Sequence, residues 1–568
     1  MISKISTAGI PCVKVYALGG LDENGKNLYC IETPDSIFVV EAGSKYPDTT
    51  DPGVDVVIPD FSYLERNKEK IKAIIISHGH DDVYGALPYL LKKVGWNIPI
   101  YTTLTTKTII EEDFKNRYKQ FNFRIIKPSD DLMIASYPFH FFETTHAVME
   151  SFGFCIETEA GNIVYTGNYI SDFGSQDHFK FDLPKIAKIA DIKKTLLILN
   201  ESSGAELPGI ASPTHRITPH IKNLFEEGEK RIFIATYNQN LYVISEIIKL
   251  VIANNKKLII TNDKLLDALP SFMANGDLII PRANQGILED SIHYNNNEVV
   301  VLITGAGEEL YKNIIALARG ESPLSKYLRI NPNDAFVMAC PPAPLIETIA
   351  TDAEDSLYKT DCQVIYLKRQ DLSAMHAQQE DIKMMISMFH PRYYMPIQGE
   401  FRLLRANASI ALSLGYKPEN IFLLDNGQAV SFDRAGKALP ITNLFKADSI
   451  FVDGLGVGDV KTDIIDERNA MAESGVIVFT AYYSSLKQKI YTIPDIETRG
   501  LIPRSLELTH VLDKLKTLFV NNLNKILANP TTNSSVYINK FIDIANQEIK
   551  KSLDKKPLII VNAIDLDK

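Results

Sequence analysis

The first two hundred residues alternate short apolar runs with polar turns. Helical patterns, such as the one at residues 86–94, lie between some of these runs. The runs that have the character of buried strands are residues 35–43, 72–78, 137–146, 161–168 and 194–202. Alternating strands and helices predict a layered α/β domain, and ligand sites in such domains gather beyond the strand ends.

The next stretch, residues 213–370, repeats this pattern and predicts a second α/β unit. Its predicted strands are residues 231–238, 257–263, 299–307 and 334–342, and its clearest predicted helix is 241–253. One strand leads into a turn with Gly305 and Gly307, but Leu310 stands where a dinucleotide-binding fingerprint requires glycine. We therefore interpret this turn as an ordinary strand-to-helix connection.

Three further segments complete the chain. Residues 371–440 contain the strand, turn and helix pattern "RYYMPIQGEFRLL", and residues 441–462 end in a glycine-rich stretch that predicts a linker. Residues 463–568 predict a small α/β domain. Its long helix, predicted near residues 506–528, carries an apolar stripe at helical spacing, which indicates core packing or a subunit contact.

Composition limits the class of protein. The chain has 568 residues, 45% of them hydrophobic and 23% charged, which is typical of a folded protein of several domains. Its five cysteines form no CxxC pair, which argues against a disulfide framework and a cysteine zinc finger. No apolar run has the length of a signal-peptide core or a membrane span, so we expect a cytoplasmic protein with no membrane partner.

The formal net charge of −10 argues against a surface that binds nucleic acid through basic charge all over. A local basic channel remains compatible with it, because only the contacted phosphates need to be neutralised.

The stretch "SHGHDDVYG", residues 77–85, is the strongest candidate for chemistry. His78 and His80 follow an apolar strand in a tight turn, Asp82 lies on the same turn, and His146 comes at the end of another predicted strand. A hydrolytic zinc site needs neutral imidazoles and carboxylates with one coordination position left open. These four residues have the right chemistry, although their spacing alone leaves open whether His146 converges with the other two histidines.

Several stretches, spread in order between residues 19 and 460, resemble the ribonuclease J family of nucleases. They are "GKNLY", "VIPDFSYL", "HGHDDVYGALPYL", "TTH", "NIVYTGN", "AELPG", "QEDIK", "PIQGEFRLL" and "VDGLGVGDV". The resemblance implies a metallo-β-lactamase αββα sandwich formed by residues 1–212 and 371–440. A β-CASP α/β domain would be inserted at 213–370. The linker would be 441–462, and a small C-terminal α/β domain, expected to dimerise, would follow at 463–568.

The family's site for two metal ions has seven ligand positions, and the resemblance carries four of them onto His78, His80, Asp82 and His146. The other three depart, with Val83 and Gln398 in place of histidines and Asn168 in place of an aspartate that bridges the ions. Two close cations repel each other, and a neutral amide offsets that repulsion poorly. We expect at most one ion, zinc or manganese, although an empty site and a full pair both remain open.

The resemblance also implies residues for catalysis and RNA binding. Asp82, His376 and Glu201 are the candidate catalytic residues, with Asp82 as base or water-orienting group. The candidate RNA- and phosphate-binding residues are Leu372, Ser373, Ala374, Met375, His376 and Asn240. This part of the chain also departs from the family's pattern. Ala374 lacks the hydroxyl expected at its position, and Gln239, Tyr242 and Val243 replace serine, histidine and arginine.

Two functions follow from these departures. The first is a degenerate second paralogue of ribonuclease J with weak or no activity, which binds RNA and forms a homodimer, or a heterodimer or tetramer with another ribonuclease J. The alternative is an active metal-dependent 5′–3′ exoribonuclease that uses one retained ion. A small-metabolite hydrolase would leave the inserted and C-terminal domains without a role.

Overall fold

The computed structural model describes residues 10–48, 50–115, 121–174, 177–343, 346–454, 456–460, 462–492, 494–501, 506–528 and 534–567. The chain divides into two compact units. One consists of residues 1–45 and 58–449, and the other of residues 46–57 and 450–568.

The chain up to position 201 supplies most of two β-sheets. Its strands are Val13–Gly19 (β1), Leu28–Glu32 (β2), Ile37–Val40 (β3), Val56–Pro59 (β4), Ile71–Ile75 (β5), Ile100–Thr102 (β6), Phe123–Ile125 (β7), Asp131–Ile134 (β8), Tyr137–Glu143 (β9), Phe152–Thr158 (β10), Gly161–Tyr165 (β11) and Thr195–Glu201 (β12). Its α-helices are Ser62–Arg66 (α1), Asp81–Tyr84 (α2), Leu87–Val94 (α3), Leu104–Phe114 (α4) and Leu183–Ile192 (α5).

The next segment forms a separate parallel sheet. Its strands are Ile232–Tyr237 (β13), Lys257–Ile260 (β14), Val299–Gly305 (β15), Ala335–Ala339 (β16) and Gln363–Tyr366 (β17), in the order β14-β15-β13-β16-β17. Its helices are Thr218–Glu227 (α6), Leu241–Ala253 (α7), Asp263–Asn275 (α8), Gly307–Ala318 (α9) and Glu347–Tyr358 (α10). The inner strands are mostly apolar and almost entirely buried, as is typical of a parallel sheet that is covered on both faces.

The chain then returns to the first two sheets. It adds Gln379–Phe389 (α11), Tyr393–Ile397 (β18), Phe401–Ser413 (α12), Gln428–Phe432 (β19) and Thr442–Asn443 (β20). The completed sheets have the orders β20-β19-β1-β2-β3-β5-β6-β7 and β18-β12-β11-β10-β9-β8. A core that contains residues such as Val15 and Phe38 from one sheet and Phe139 and Leu197 from the other lies between them. The predicted αββα sandwich with an α/β insert is confirmed.

The second unit is a smaller α/β structure. Its further elements are Ser449–Asp453 (β21), Gly456–Val457 (β22), Thr462–Ser474 (α13), Val476–Ser484 (β23), Lys489–Ile490 (β24), Asp495–Arg499 (β25), Leu506–Ala528 (α14), Ser534–Leu553 (α15) and Leu558–Asp565 (β26). The bounds of α14 coincide with the helix predicted at 506–528. The stretch predicted as a linker, 441–462, contains the short strands β20 to β22.

Among the helices in the described ranges, none combines the length and apolar character needed to cross a membrane.

Candidate metal centre

The candidate metal turn, residues 77–85, begins just beyond the end of β5 and includes the short helix α2. Three main-chain hydrogen bonds fix it: Ala42 N donates to Val83 O at 2.7 Å, Ser44 N donates to Asp81 O at 3.0 Å, and Val83 N donates to His80 O at 3.0 Å. A Cβ atom at Gly43 would lie 1.7 Å from the carbonyl oxygen of Asp82. Glycine at position 43 therefore allows the turn to pack directly against the segment after β3.

Three histidine rings converge at this turn. The candidate ligand nitrogens of His78, His80 and His146 all lie within 4.8 Å of one another, and the ring centroids are 4.7–4.9 Å apart. His78 and His146 are almost completely buried. The structure thus brings His146, predicted from a different strand, to the same point as the HxH pair.

Hydrogen bonds set the tautomers of two of these rings. His146 Nδ1 lies 2.7 Å from Met375 O, and His80 Nε2 lies 3.2 Å from Gln239 O. A carbonyl oxygen can only accept, so both of these ring nitrogens carry the proton. The remaining lone pairs, on His80 Nδ1 and His146 Nε2, face each other at 3.3 Å. Two facing lone pairs repel unless a cation lies between them.

The third ring supplies a matching atom. His78 Nδ1 lies 2.9 Å from Ser77 Oγ, while its buried Nε2 has no hydrogen-bond partner among the described residues. Burial holds the pKa of His78 and of His146 well below the usual histidine value, so both rings are neutral. Three buried imidazoles whose nitrogens converge, two of them with facing lone pairs, are the type of donor set that a zinc-type cation requires. The residues present therefore fit one metal ion.

The strand behind the turn carries a buried acid. Glu41 accepts from the main-chain N–H of Ser77, at 3.1 Å for Oε2 and 3.3 Å for Oε1. Burial raises the pKa of Glu41 to about 8, although its hydrogen bonds with Ser77 and Tyr165 oppose the rise. This carboxyl group holds the residue before His78 in place.

The residues at the positions that hold the second ion in the family differ from the three histidines in chemical type and in contacts. Asp82 Oδ2 accepts a hydrogen bond from Asn27 Nδ2 at 2.9 Å, and Asp82 does not belong to the cluster of convergent ligand atoms. Val83 is 1% exposed and contributes only apolar surface. Asn168 is buried beside the loop that leads to His146, since Thr144 Oγ1 donates to Asn168 O at 3.0 Å.

The two residues at these positions with amide side chains, Asn168 and Gln398, are neutral. Neither side-chain atom of Asn168 has a hydrogen-bond partner among the described residues. Gln398 adopts a left-handed backbone with φ of 60°, and its main-chain N–H donates to Gly20 O at 3.0 Å.

A second pair of candidate residues lies next to the histidine cluster. His376 Nδ1 is 2.7 Å from Glu201 Oε2, and the His376 ring centroid is 5.3 Å from that of His146. The other oxygen of Glu201 accepts from the main-chain N–H groups of Tyr169 at 2.9 Å and Ala377 at 3.0 Å. Burial disfavours the charged imidazole, but the Glu201 carboxylate outweighs it and raises the pKa of His376.

The other predicted RNA-binding residues have mixed placements. Leu372 and Met375 are each 3% exposed, and their side chains belong to the apolar core. Ser373 Oγ lies 3.0 Å from Thr214 Oγ1, and Ala374 is exposed. Asn240 caps α7 by accepting from Val243 N at 3.1 Å. Contact of these residues with RNA stays a prediction.

Several groups that hydrogen-bond to the candidate ligands, or to residues next to them, were not predicted from the sequence. Asn27, Glu41 and the carbonyl groups of Gln239 and Met375 were not recognised as partners of the candidate ligands. Asn27 lies in the quoted stretch "GKNLY", so its position there was the available signal. A main-chain carbonyl has no such signal, because every residue type carries one.

Comparisons with known proteins find matches to three domain families and to curated relatives. Three family profiles match: a β-lactamase superfamily domain at residues 49–174, the β-CASP domain of ribonuclease J at 229–352, and the C-terminal domain of ribonuclease J at 463–566. The chain is also similar to curated proteins named Ribonuclease J 2. The one from Staphylococcus epidermidis is 29% identical and that from Staphylococcus aureus 28% identical, each over 492 residues, 86% of this chain and 87% of the relative.

A solved structure of a protein of unknown function from Enterococcus faecalis has a similar fold. It superposes with a TM-score of 0.51 at 14% sequence identity, over 74% of this chain and all of that one. At that identity the likeness concerns the fold alone.

Proposed function

Because the chain belongs to the ribonuclease J family, we propose that it binds RNA, holds one metal ion on three histidines and hydrolyses RNA slowly or not at all, as the partner of an active ribonuclease J. The site would lie between the lactamase fold and the β-CASP insert. The cytoplasm is the expected compartment.

The observation that carries this proposal is the contrast between the two ion positions. Three lone pairs converge on the first position, from His78, His80 and His146. The second position retains one charged ligand, Asp82, which also accepts a hydrogen bond from Asn27. A neutral Asn168 in place of the bridging carboxylate cannot offset the repulsion between two cations.

Zinc fits the nitrogen donors best, and manganese is a second candidate. Such an ion, when bound, would act as a Lewis acid on a phosphate oxygen and make water more acidic. His376 would contribute by donating a proton near the leaving oxygen, because Glu201 raises its pKa and orients its ring. Asp82 would orient or deprotonate a water molecule.

Metal content and RNA degradation, measured on the same preparation, test the proposal. We expect about one zinc or manganese ion per chain by elemental analysis and very slow loss of a 5′-monophosphorylated RNA. Two ions per chain would contradict the single-ion site. Rapid turnover that disappears in His78→Ala would contradict the proposed weak activity.

The retained Glu201–His376 pair favours a second candidate, an active 5′–3′ exoribonuclease that works with one ion. This candidate requires that His376→Ala slow RNA turnover by about 100-fold or more, the usual contribution of a general acid. The partner role is tested separately, by co-expression and co-purification with an active ribonuclease J. Elution of the intact chain alone as a monomer would contradict that role.

A further inference from the structure

Gln239, in the turn after β13, contacts the candidate metal turn at two points. The carbonyl oxygen of Gln239 is 3.2 Å from His80 Nε2, and the side-chain amide of Gln239 donates to Asp81 Oδ2 at 2.8 Å. Gln239 belongs to the β-CASP insert, whereas His80 and Asp81 belong to the lactamase fold. One residue of the insert therefore contacts both a candidate metal ligand and its neighbour in the chain.

The carbonyl contact decides which nitrogen of His80 can bind an ion. The proton on Nε2, held by Gln239 O, leaves the lone pair on Nδ1, which is the atom that faces His146 Nε2 at 3.3 Å. If the turn moved away, the neutral ring could place its proton on Nδ1 instead. The ligand lone pair would then be lost, because a protonated nitrogen cannot coordinate a cation.

The side chain of Gln239 ties this turn to the metal turn. Its bond to Asp81 joins the insert to the residue that begins α2, directly after His80. On the insert side, the main-chain N–H of Asn238 donates to Gly305 O at 3.1 Å, and the Tyr237 hydroxyl lies 3.0 Å from Pro341 O. The turn is thus held firmly at the end of the parallel sheet, so its position against His80 depends on how the sheet docks.

A second pair of contacts lies on the His146 side. Tyr242 N, at the start of α7, donates to Ala147 O at 3.0 Å, one residue after His146. The carbonyl oxygen of Met375, just after the insert, accepts from His146 Nδ1 at 2.7 Å. Two of the three candidate ligands are therefore oriented by carbonyl groups outside the strands that carry them.

We propose that Gln239 is a positioning residue that couples metal binding on the three histidines to docking of the β-CASP insert. The inference rests on the proposed single-ion site and adds a means of controlling it. Since binding linkage is reciprocal, a docked turn tightens ion binding and a bound ion stabilises the docked turn by the same factor.

The experiment compares Co²⁺ affinity, measured against a competing chelator, in the full-length protein and its variants. Gln239→Met keeps the volume of the side chain and removes the amide donor. We expect it to weaken Co²⁺ binding by about 10-fold, because the amide tethers the carbonyl group that orients His80, and complete loss of such an outer partner costs about 10- to 100-fold. Gln239→Glu, which places two carboxylates together, is expected to weaken binding at least as much.

Two controls separate positioning from damage to the fold. The double variant Gln239→Glu with Asp81→Asn restores the bond with donor and acceptor exchanged, and should recover affinity to within about threefold. Gln363→Ala removes a comparable amide that accepts from Lys230 at 2.6 Å on the surface, and should leave affinity unchanged.

Hydrogen exchange supplies the reciprocal readout. Co²⁺ should protect the main-chain amides of residues 237–245 in the unmodified protein and protect them less in Gln239→Met. Equal affinity and equal protection in both proteins would overturn the coupling while leaving the single-ion site intact. Failure of the unmodified protein to bind Co²⁺, Zn²⁺ or Mn²⁺ would instead overturn the proposed function, and the coupling with it.

Discussion

The two halves of the candidate metal centre receive very different support from the surrounding chain. In the first half, His80 and His146 each donate to a carbonyl oxygen, and the main-chain N–H of Ser77 is held by Glu41. In the second half, Asp82 accepts a hydrogen bond from Asn27, but the side-chain amide of Asn168 has no partner among the described residues and position 83 is a buried valine.

On the proposal of a single ion, this difference explains why the second position is the one that is lost while the fold is kept. Ligands of the first ion are also packing and hydrogen-bonding partners of the sheet ends, so their replacement would disturb several neighbours at once. Positions of the second ion can be filled by apolar or neutral residues with little cost. The supports around a ligand, as much as the ligand itself, distinguish the two halves.

The largest expected effect is the loss of a ligand from the first half. His146→Ala removes one of three convergent lone pairs and leaves Met375 O without its donor. We expect Co²⁺ or Zn²⁺ affinity to fall by more than about 100-fold, because loss of an outer partner alone costs about 10- to 100-fold. Competition with a chelator of known affinity measures this loss of metal affinity.

Gln398→Ala is the matched change in the second half. It should alter the affinity for Co²⁺ or Zn²⁺ by less than about threefold. Equal losses in the two variants would erase the distinction between the halves.

A reconstruction of the second half comes next. The triple variant Val83→His, Asn168→Asp and Gln398→His restores the family's three missing ligand types. Elemental analysis should then find about two ions per chain instead of one, with faster hydrolysis of RNA, since a second ion stabilises the leaving oxygen.

The control for that reconstruction lacks only Asn168→Asp. Without the anionic bridge, the two histidines alone should leave the content near one ion. If this double variant also binds two ions, repulsion between the cations is not what empties the second position.

A smaller effect concerns the buried acid behind the first half. Folding raises the pKa of Glu41 from 4.5 to about 8, so the folded chain keeps a proton that the unfolded chain releases. The free energy of unfolding should therefore fall as the pH rises from about 4.5 to about 8 and then level off. Glu41→Gln should raise it by about 3 kcal/mol more at pH 8 than at pH 5, since each unit of pKa shift corresponds to about 1.4 kcal/mol.

Thermal unfolding of chelator-treated protein at the two pH values checks this effect. Glu159→Gln, at a surface carboxylate paired with Arg434, is the control and should leave the pH dependence as it was. If the stability of Glu41→Gln changes with pH in the same way as that of the unmodified protein, another group is responsible for the pH dependence.

The smallest expected effect is at Asn168 itself. Asn168→Ala removes a buried amide that makes no side-chain hydrogen bond among the described residues, so the free energy of unfolding should change by less than about 1 kcal/mol. Asn407→Ala is the contrasting change, because Asn407 Nδ2 donates to Glu201 O at 2.7 Å and to Ser202 Oγ at 3.0 Å. Its removal should cost about 2–3 kcal/mol in denaturant unfolding.

Much of the fold followed from apolar periodicity. The helices at 241–253 and 506–528 have the predicted bounds, because their apolar stripes are long and regular. A second α/β unit was also expected, since strands and helices alternate through residues 213–370, whereas its place as an insert followed from the family resemblance. The convergence of His146 with His78 and His80 depended on family resemblance, as no local pattern links residues so far apart.

The parts that escaped prediction have physical reasons. Met375 was chosen from its motif position as an RNA-binding residue, yet its side chain lies in the apolar core and its carbonyl oxygen binds His146. Likewise, Asn27 holds Asp82 across a separation of 55 residues. Contacts of this kind depend on the three-dimensional path of the chain, and residue type alone does not encode them.

The order in which the sheets are completed has a consequence for synthesis. Strand β1 pairs with β19, and β12 pairs with β18, so both sheets wait for residues that follow the whole insert. At roughly 5–20 residues per second, a ribosome needs about 20–80 seconds to make the roughly 400 residues between β1 and β19. During that time the edge of β1 that faces β19 has no strand partner, and the edge of β12 waits about half as long for β18. Unpaired strand edges of this kind can pair with other chains before the sheets are complete.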